Sequence, residues 1–225
     1  MPSSPYKLLI FDWDGTLIDS EASIVMSLQA AIKDVGIAAI SVTEIRHIIG
    51  LGLYEALTTL LPGQSEKTYA ALIARYRHHF FSTAPSEAFP EVKNTLRELH
   101  SQGYLLAVAT GKGRQGLDLA LKSTALQELF VASRCADETQ SKPHPQMLHE
   151  ILAQLDMPVS HALMIGDTSY DLEMANEAGM DSAAVCTGVH EKSHLLNYQP
   201  AVCLDAMPGL LAWLQSVPEK EASGK

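Results

Sequence analysis

The chain has 225 residues, 47% hydrophobic and 19% charged, which is enough apolar material for a sizeable core and too little polarity for disorder. Its net charge of -10 excludes a broad basic face for nucleic acid, and no apolar run reaches the length of a membrane span. Three widely spaced cysteines (Cys135, Cys186, Cys203) and an N-terminus without a signal pattern point to a soluble, cytoplasmic protein rather than a disulfide scaffold.

In chain order, Lys7–Phe11 reads as a buried strand, because it is apolar without alternation. The interval from Glu21 to about Ala84 then reads as all-helical. Ile24, Leu28, Ala31, Ile32 and Val35 share one helix face, and Tyr69, Leu72, Ile73, Tyr76 and Phe80 form a second stripe. Gly50-Leu51-Gly52 reads as a turn within this interval. Further strands are expected at 104–109, 129–132 and 162–165, with weaker ones at 182–186 and 201–204. Helices are expected from Pro90, from about Pro145 to Leu155, and from about Tyr170 to Ala178. Strand and helix alternating in this way predict an α/β fold with a doubly wound, Rossmann-like parallel sheet. The helical interval is then an insertion between the first two strands. The expected division is a discontinuous core (residues 1–18 and 87–217), a helical cap (19–86) and a flexible tail (218–225), with hinges at Asp19-Ser20 and Ser82–Ser86.

In open parallel sheets, ligands collect at the carboxyl ends of the strands. Those ends are rich in polar residues here: Asp12-Trp13-Asp14-Gly15-Thr16 after the first strand, Thr110-Gly111 at the second, Ser141-Lys142-Pro143 beyond the third and Gly166-Asp167 to Asp171 at the fourth. Carboxylates without thiolates select a hard cation such as Mg²⁺ over zinc. A cation and a lysine together neutralise a phosphate that would otherwise repel a carboxylate nucleophile. A second carboxylic acid two residues on has the reach of a general acid and base.

Phe11 to Ser20 resembles the first motif of the haloacid dehalogenase-like hydrolases. Thr110, Lys142 in Ser-Lys-Pro, and Gly166-Asp167 with Asp171 follow as the second, third and fourth. The insertion resembles the small cap of the phosphoglycolate phosphatase-like branch. That resemblance implies Asp12 as nucleophile, forming an aspartyl-phosphate, and Asp14 as acid/base. It implies Mg²⁺ held by the Asp12 carboxylate, the Asp14 backbone carbonyl and Asp167. It assigns Thr110, the Gly111 backbone and Lys142 to the transferring phosphoryl group, and gives Asp171 a supporting role, orienting Lys142 or a metal-bound water. The implied substrate is a small soluble phosphomonoester (phosphoglycolate-like, a sugar phosphate or a nucleotide), acted on by a monomer or weak homodimer.

Other readings of the same residues stand beside this one. Asp12 and Asp14 also suit turn or capping positions, and Asp171 suits a helix cap. A sugar phosphomutase would use the same acid/base, and a binding module would need none. Gly111 to Gly116 fits G-x-G-x-x-G, with Asp137 placed for a ribose, as in a dinucleotide site. His190 and His194 share a helix face as metal ligands can, without a matching third. Arg75, Arg77, His78 and His79 form a cationic stretch, either a solvated face or a substrate clamp.

Overall fold

A computed structural model describes residues 4–218. Apart from Pro218, the tail expected at 218–225 lies outside them. Six strands, β1 (Leu8–Phe11), β2 (Leu105–Thr110), β3 (Phe130–Cys135), β4 (Ala162–Gly166), β5 (Asp181–Val185) and β6 (Val202–Leu204), form one sheet in the order β3-β2-β1-β4-β5-β6. Every pairing is parallel. All six expected strands are present, the two weaker ones at the β6 side of the sheet.

Ten α-helices and three short 3-10 turns accompany the sheet in the described residues; the α-helices are α1 (Glu21–Val35), α2 (Val42–His47), α3 (Leu53–Leu60), α4 (Glu66–Ser82), α5 (Val92–Ser101), α6 (Arg114–Thr124), α7 (Gln146–Gln154), α8 (Ser169–Glu177), α9 (Lys192–Leu195) and α10 (Gly209–Ser216). Strand β1 shows why its sequence does not alternate. Leu9 and Phe11 pack on one face with Leu96 of α5, Leu117 of α6 and Leu210 of α10. Leu8 and Ile10 pack on the other with Met147 and Ile151 of α7 and Met174 of α8. A strand covered on both faces must be apolar at every position.

Helices α1–α4 form a block with its own core, in which Leu28 and Ile32 meet Ile45, Leu57, Tyr69 and Leu72. Capping fixes some of its boundaries. Ser41 and Glu44 make a capping box that opens α2, and Gly36 ends α1 in the left-handed region at φ 81°. Two chain crossings join the block to the sheet and run side by side. The Asp19 N–H donates to the Glu87 carbonyl (2.9 Å), and the Phe89 N–H donates to the Leu17 carbonyl (3.1 Å).

The order of the strands positions the site. The chain winds outward from β1 to β3, then returns to lay β4 against the opposite edge of β1. The crevice at that reversal opens beyond the carboxyl ends of β1 and β4. Asp12 and Asp167 leave those two ends, so residues far apart in sequence become neighbours.

Candidate active site

Asp12, Lys142, Asp167 and Asp171 meet in this crevice, all buried. Lys142 Nζ lies 2.7 Å from Asp12 Oδ1 and donates to Asp171 Oδ1 at 2.6 Å. The second Asp171 oxygen accepts the backbone N–H (3.1 Å) and hydroxyl (2.7 Å) of Thr168. Asp171 therefore opens α8 and holds Lys142 at the same time. Asp167 Oδ1 accepts the Thr16 hydroxyl at 2.7 Å. Gly15, at φ 84°, packs against Asp167 where a Cβ would collide with the carboxylate.

Neither Asp12 oxygen receives a well-directed hydrogen bond from a described residue, although both are buried; the Lys142 contact is ionic. Burial pushes the Asp12 carboxyl up to about 7; Lys142 pulls the other way and Asp171 adds to the rise. Burial, followed by the charges of Asp12 and Asp171, also raises Asp167 well above the carboxylate range. Burial works against the Lys142 charge, but the two carboxylates outweigh it and hold the ammonium above its ordinary range.

The cluster is short of positive charge, with three carboxylates facing one ammonium. Asp12, Asp167 and Asp171 each offer an oxygen within 4.8 Å of the others. Hard oxygen donors, an excess of negative charge and an orphaned Asp12 carboxylate fit a divalent cation of the Mg²⁺ class. The side chain of Asp14 is not part of this group. Its Oδ1 accepts the Ser20 hydroxyl (2.6 Å) and its Oδ2 pairs with Lys112 (2.9 Å), so only its backbone remains for the metal role that the resemblance implied. Asp171 is the third carboxylate of the group.

Thr110 and Gly111 line a cavity of about 300 Å³ together with Asp12 and Asp14. The Thr110 hydroxyl accepts the Lys112 N–H at 3.1 Å. Gly111 is glycine for a steric reason, since a Cβ there would lie 2.5 Å from the Gly50 and Leu51 carbonyl oxygens. The Gly50–Gly52 turn closes the cavity from the helical side. The Gly52 N–H donates to Ser141 Oγ (2.7 Å), and the Tyr170 hydroxyl donates to the His47 carbonyl (2.8 Å).

The remaining motifs have local roles. Asp137 accepts the Arg114 backbone N–H (2.9 Å) at the start of α6, so its carboxylate caps a helix where a dinucleotide site would need it for ribose. His190 Nδ1 accepts the Ser169 N–H (2.9 Å), and burial lowers that imidazole to about 4. Arg75 and His79 both pair with Asp34 on α1, which makes them part of a solvated face; of the two arginines only Arg77 lines the cavity. Ser20 occupies the N-cap of α1.

Sequence reasoning missed Lys112, Ser20 and the wall formed by Tyr76 and Phe80. Lys112 had a signal, since it stands two residues beyond Thr110 on the same strand end. Ser20 had none, because nothing in its spacing reveals a bond back to Asp14.

Residues 9–185 match the family described as haloacid dehalogenase-like hydrolase. The chain is 35% identical over 204 residues to the "Probable phosphatase IndB" of Dickeya dadantii (strain 3937), covering 88% of this chain and 89% of that protein. It is 32% identical over 218 residues to the phosphoglycolate phosphatase of Aliivibrio fischeri (strain ATCC 700601 / ES114), covering 92% and 96%. A haloacid dehalogenase-like family hydrolase from Streptococcus pneumoniae superposes with a TM-score of 0.82 at 26% identity, over 94% of this chain and 99% of that one.

Proposed function

The chain belongs to the haloacid dehalogenase-like hydrolases, and from that premise we propose a Mg²⁺-dependent phosphatase that hydrolyses a small phosphomonoester through an aspartyl-phosphate on Asp12. The observation that carries this reading is the Asp12 carboxylate, buried at the cavity floor, in ionic contact with Lys142 and without a hydrogen bond to hold it in a purely structural role. An Asp12 oxygen attacks phosphorus, and the bond from phosphorus to the ester oxygen breaks. Asp14, two residues on and lining the same cavity, delivers a proton to the departing alkoxide. Asp14 then takes a proton from the water that attacks phosphorus and frees Asp12.

Lys142 is kept charged by Asp12 and Asp171, and so can neutralise a phosphoryl oxygen throughout. Thr110 and the Gly111 backbone offer further contacts to the phosphoryl group. When bound by Asp12, Asp167 and the Asp14 carbonyl, with Asp171 at hand, Mg²⁺ supplies the positive charge that the cluster lacks. We read residues 19–86 as a cap whose Gly50–Gly52 turn shuts the cavity, which favours small soluble esters over phosphoproteins.

Hydrolysis of para-nitrophenyl phosphate, measured with Mg²⁺ and with EDTA, tests this reading. Metal-dependent turnover is expected in the wild type, reduced by at least about 10⁴ in Asp12→Asn. Equal turnover in the two proteins would sink it.

A further inference from the structure

The cavity over Asp12 has two chemically different ends. At the sheet lie Asp12, Asp14, Thr110 and Gly111. The opposite wall, from α1, α4 and the turn before Gly50, is Ile24, Leu28, Ile49, Ile73, Tyr76 and Phe80. Tyr76 and Phe80 are stacked one helical turn apart, with ring centroids at 5.5 Å and planes inclined by 23°. Tyr76 lines the same cavity as Asp14, the proposed acid/base.

Cations on this side are already committed or peripheral. Among the described residues lining the cavity they are Lys112 and Arg77. Lys112 is paired with Asp14 and sits 4.6 Å from the centroid of the Phe80 ring. Arg77 is exposed at the rim, where the Glu55 and Asp137 carboxylates also line the opening. A leaving group bearing a second negative charge would meet an apolar wall and a rim with more carboxylates than cations. A sugar would turn several hydroxyls toward the same wall, whose aliphatic side chains and Phe80 offer no partner, because the polar side chains of Tyr54, Glu55, Arg77, Gln115 and Asp137 that also line the cavity are exposed. Burying polar groups unpaired costs free energy.

We propose that the leaving group is an uncharged alcohol carrying an aromatic ring, bound against Tyr76, Phe80 and the aliphatic wall. This rests on the phosphatase reading and names its substrate class. Stacked rings receive another ring edge-on or offset, and a ring alcohol presents only one polar atom, the oxygen that Asp14 protonates. A cavity of about 300 Å³ stands at the small end of ligand pockets, which suits a phosphate and a single ring.

The test compares kcat/KM for benzyl phosphate, phosphoglycolate and glucose 6-phosphate in the presence of Mg²⁺. All three release an alkyl alcohol, so an activated leaving group does not bias the ranking. Benzyl phosphate is expected to exceed the other two by at least about tenfold, and Tyr76→Ala to remove that margin mainly by raising its KM. Phosphoglycolate or glucose 6-phosphate matching benzyl phosphate would overturn the proposal and leave the phosphatase reading intact. If no ester is hydrolysed, the phosphatase reading falls, and the pocket is judged by calorimetric titration with benzylphosphonate and phosphonoacetate, neither of which needs turnover. Tighter binding of benzylphosphonate upholds the apolar wall; equal or reversed affinity rejects it.

Discussion

The floor and the roof of the cavity are built on opposite principles. At the sheet end, buried polar groups hold one another in place: Lys142 lies between Asp12 and Asp171, and Asp167 accepts the Thr16 hydroxyl. At the helical end, aliphatic and aromatic side chains face the cavity, and the charged groups remain at its exposed rim. Buried charge costs several kcal/mol per ion unless it is paired, so a floor of this kind tolerates little change. An apolar wall loses only the contact area of what is replaced. In the proposed phosphatase, the floor would receive the phosphoryl group and the roof the leaving group.

Lys142→Ala puts the largest strain on this contrast. It leaves Asp12 and Asp171 buried without their shared cation, and a loss of about 3–5 kcal/mol is expected in urea unfolding, together with loss of turnover. A change below about 1 kcal/mol would mean that the floor is not held by charge.

The pH dependence of the metal-free protein probes the same cluster. With its carboxyl raised from an ordinary 3.8 to about 7, Asp12 binds a proton more tightly folded than unfolded. Its contribution therefore favours the fold at low pH and is lost as pH rises from about 4 through about 7. Thermal melts in EDTA should show a steeper loss of stability over this window in wild type than in Asp12→Asn. Parallel profiles would contradict the assignment. His190, lowered to about 4, works in the opposite direction, losing stability as pH falls below its ordinary 6.5, which is why the difference between the two proteins is the informative quantity.

Gly111→Ala lies where floor and roof touch. Its Cβ would lie 2.5 Å from two carbonyl oxygens of the Gly50–Leu51 turn, so the turn must move away. A fall in kcat/KM of about a hundredfold is expected, with thermal stability much less affected. Lys112→Met removes the partner of Asp14 and should lower kcat by about tenfold. The smallest effect is expected from Arg75→Ala, because Arg75 pairs with Asp34 on the outer face of the block. Hydrolysis should stay within about twofold of wild type, and a larger change would move the substrate path outward.

Much of the fold could be read from local pattern. Unalternating runs such as Leu8–Phe11 required strands covered on both faces, and helices cover both faces of the sheet. The helical stripe on α4 was legible only as an apolar face. Tyr69 and Leu72 are buried in the core of the block, whereas Ile73 and Tyr76 pack against that core and, with Phe80, also line the cavity. Periodicity reports that a face avoids water, and a core and a pocket wall satisfy that requirement equally.

By itself the sequence singled out the side chains that gather at the floor, because carboxylates, a threonine and a lysine recur at or beyond the ends of successive strands. Only the tertiary structure decided how they are shared. Asp171 joins Asp12 and Asp167 because β4 returns to the side of β1, and Asp14 turns away from that cluster because Lys112 and Ser20 converge on it from other elements. Those contacts depend on distances between segments remote in sequence, which local pattern does not encode.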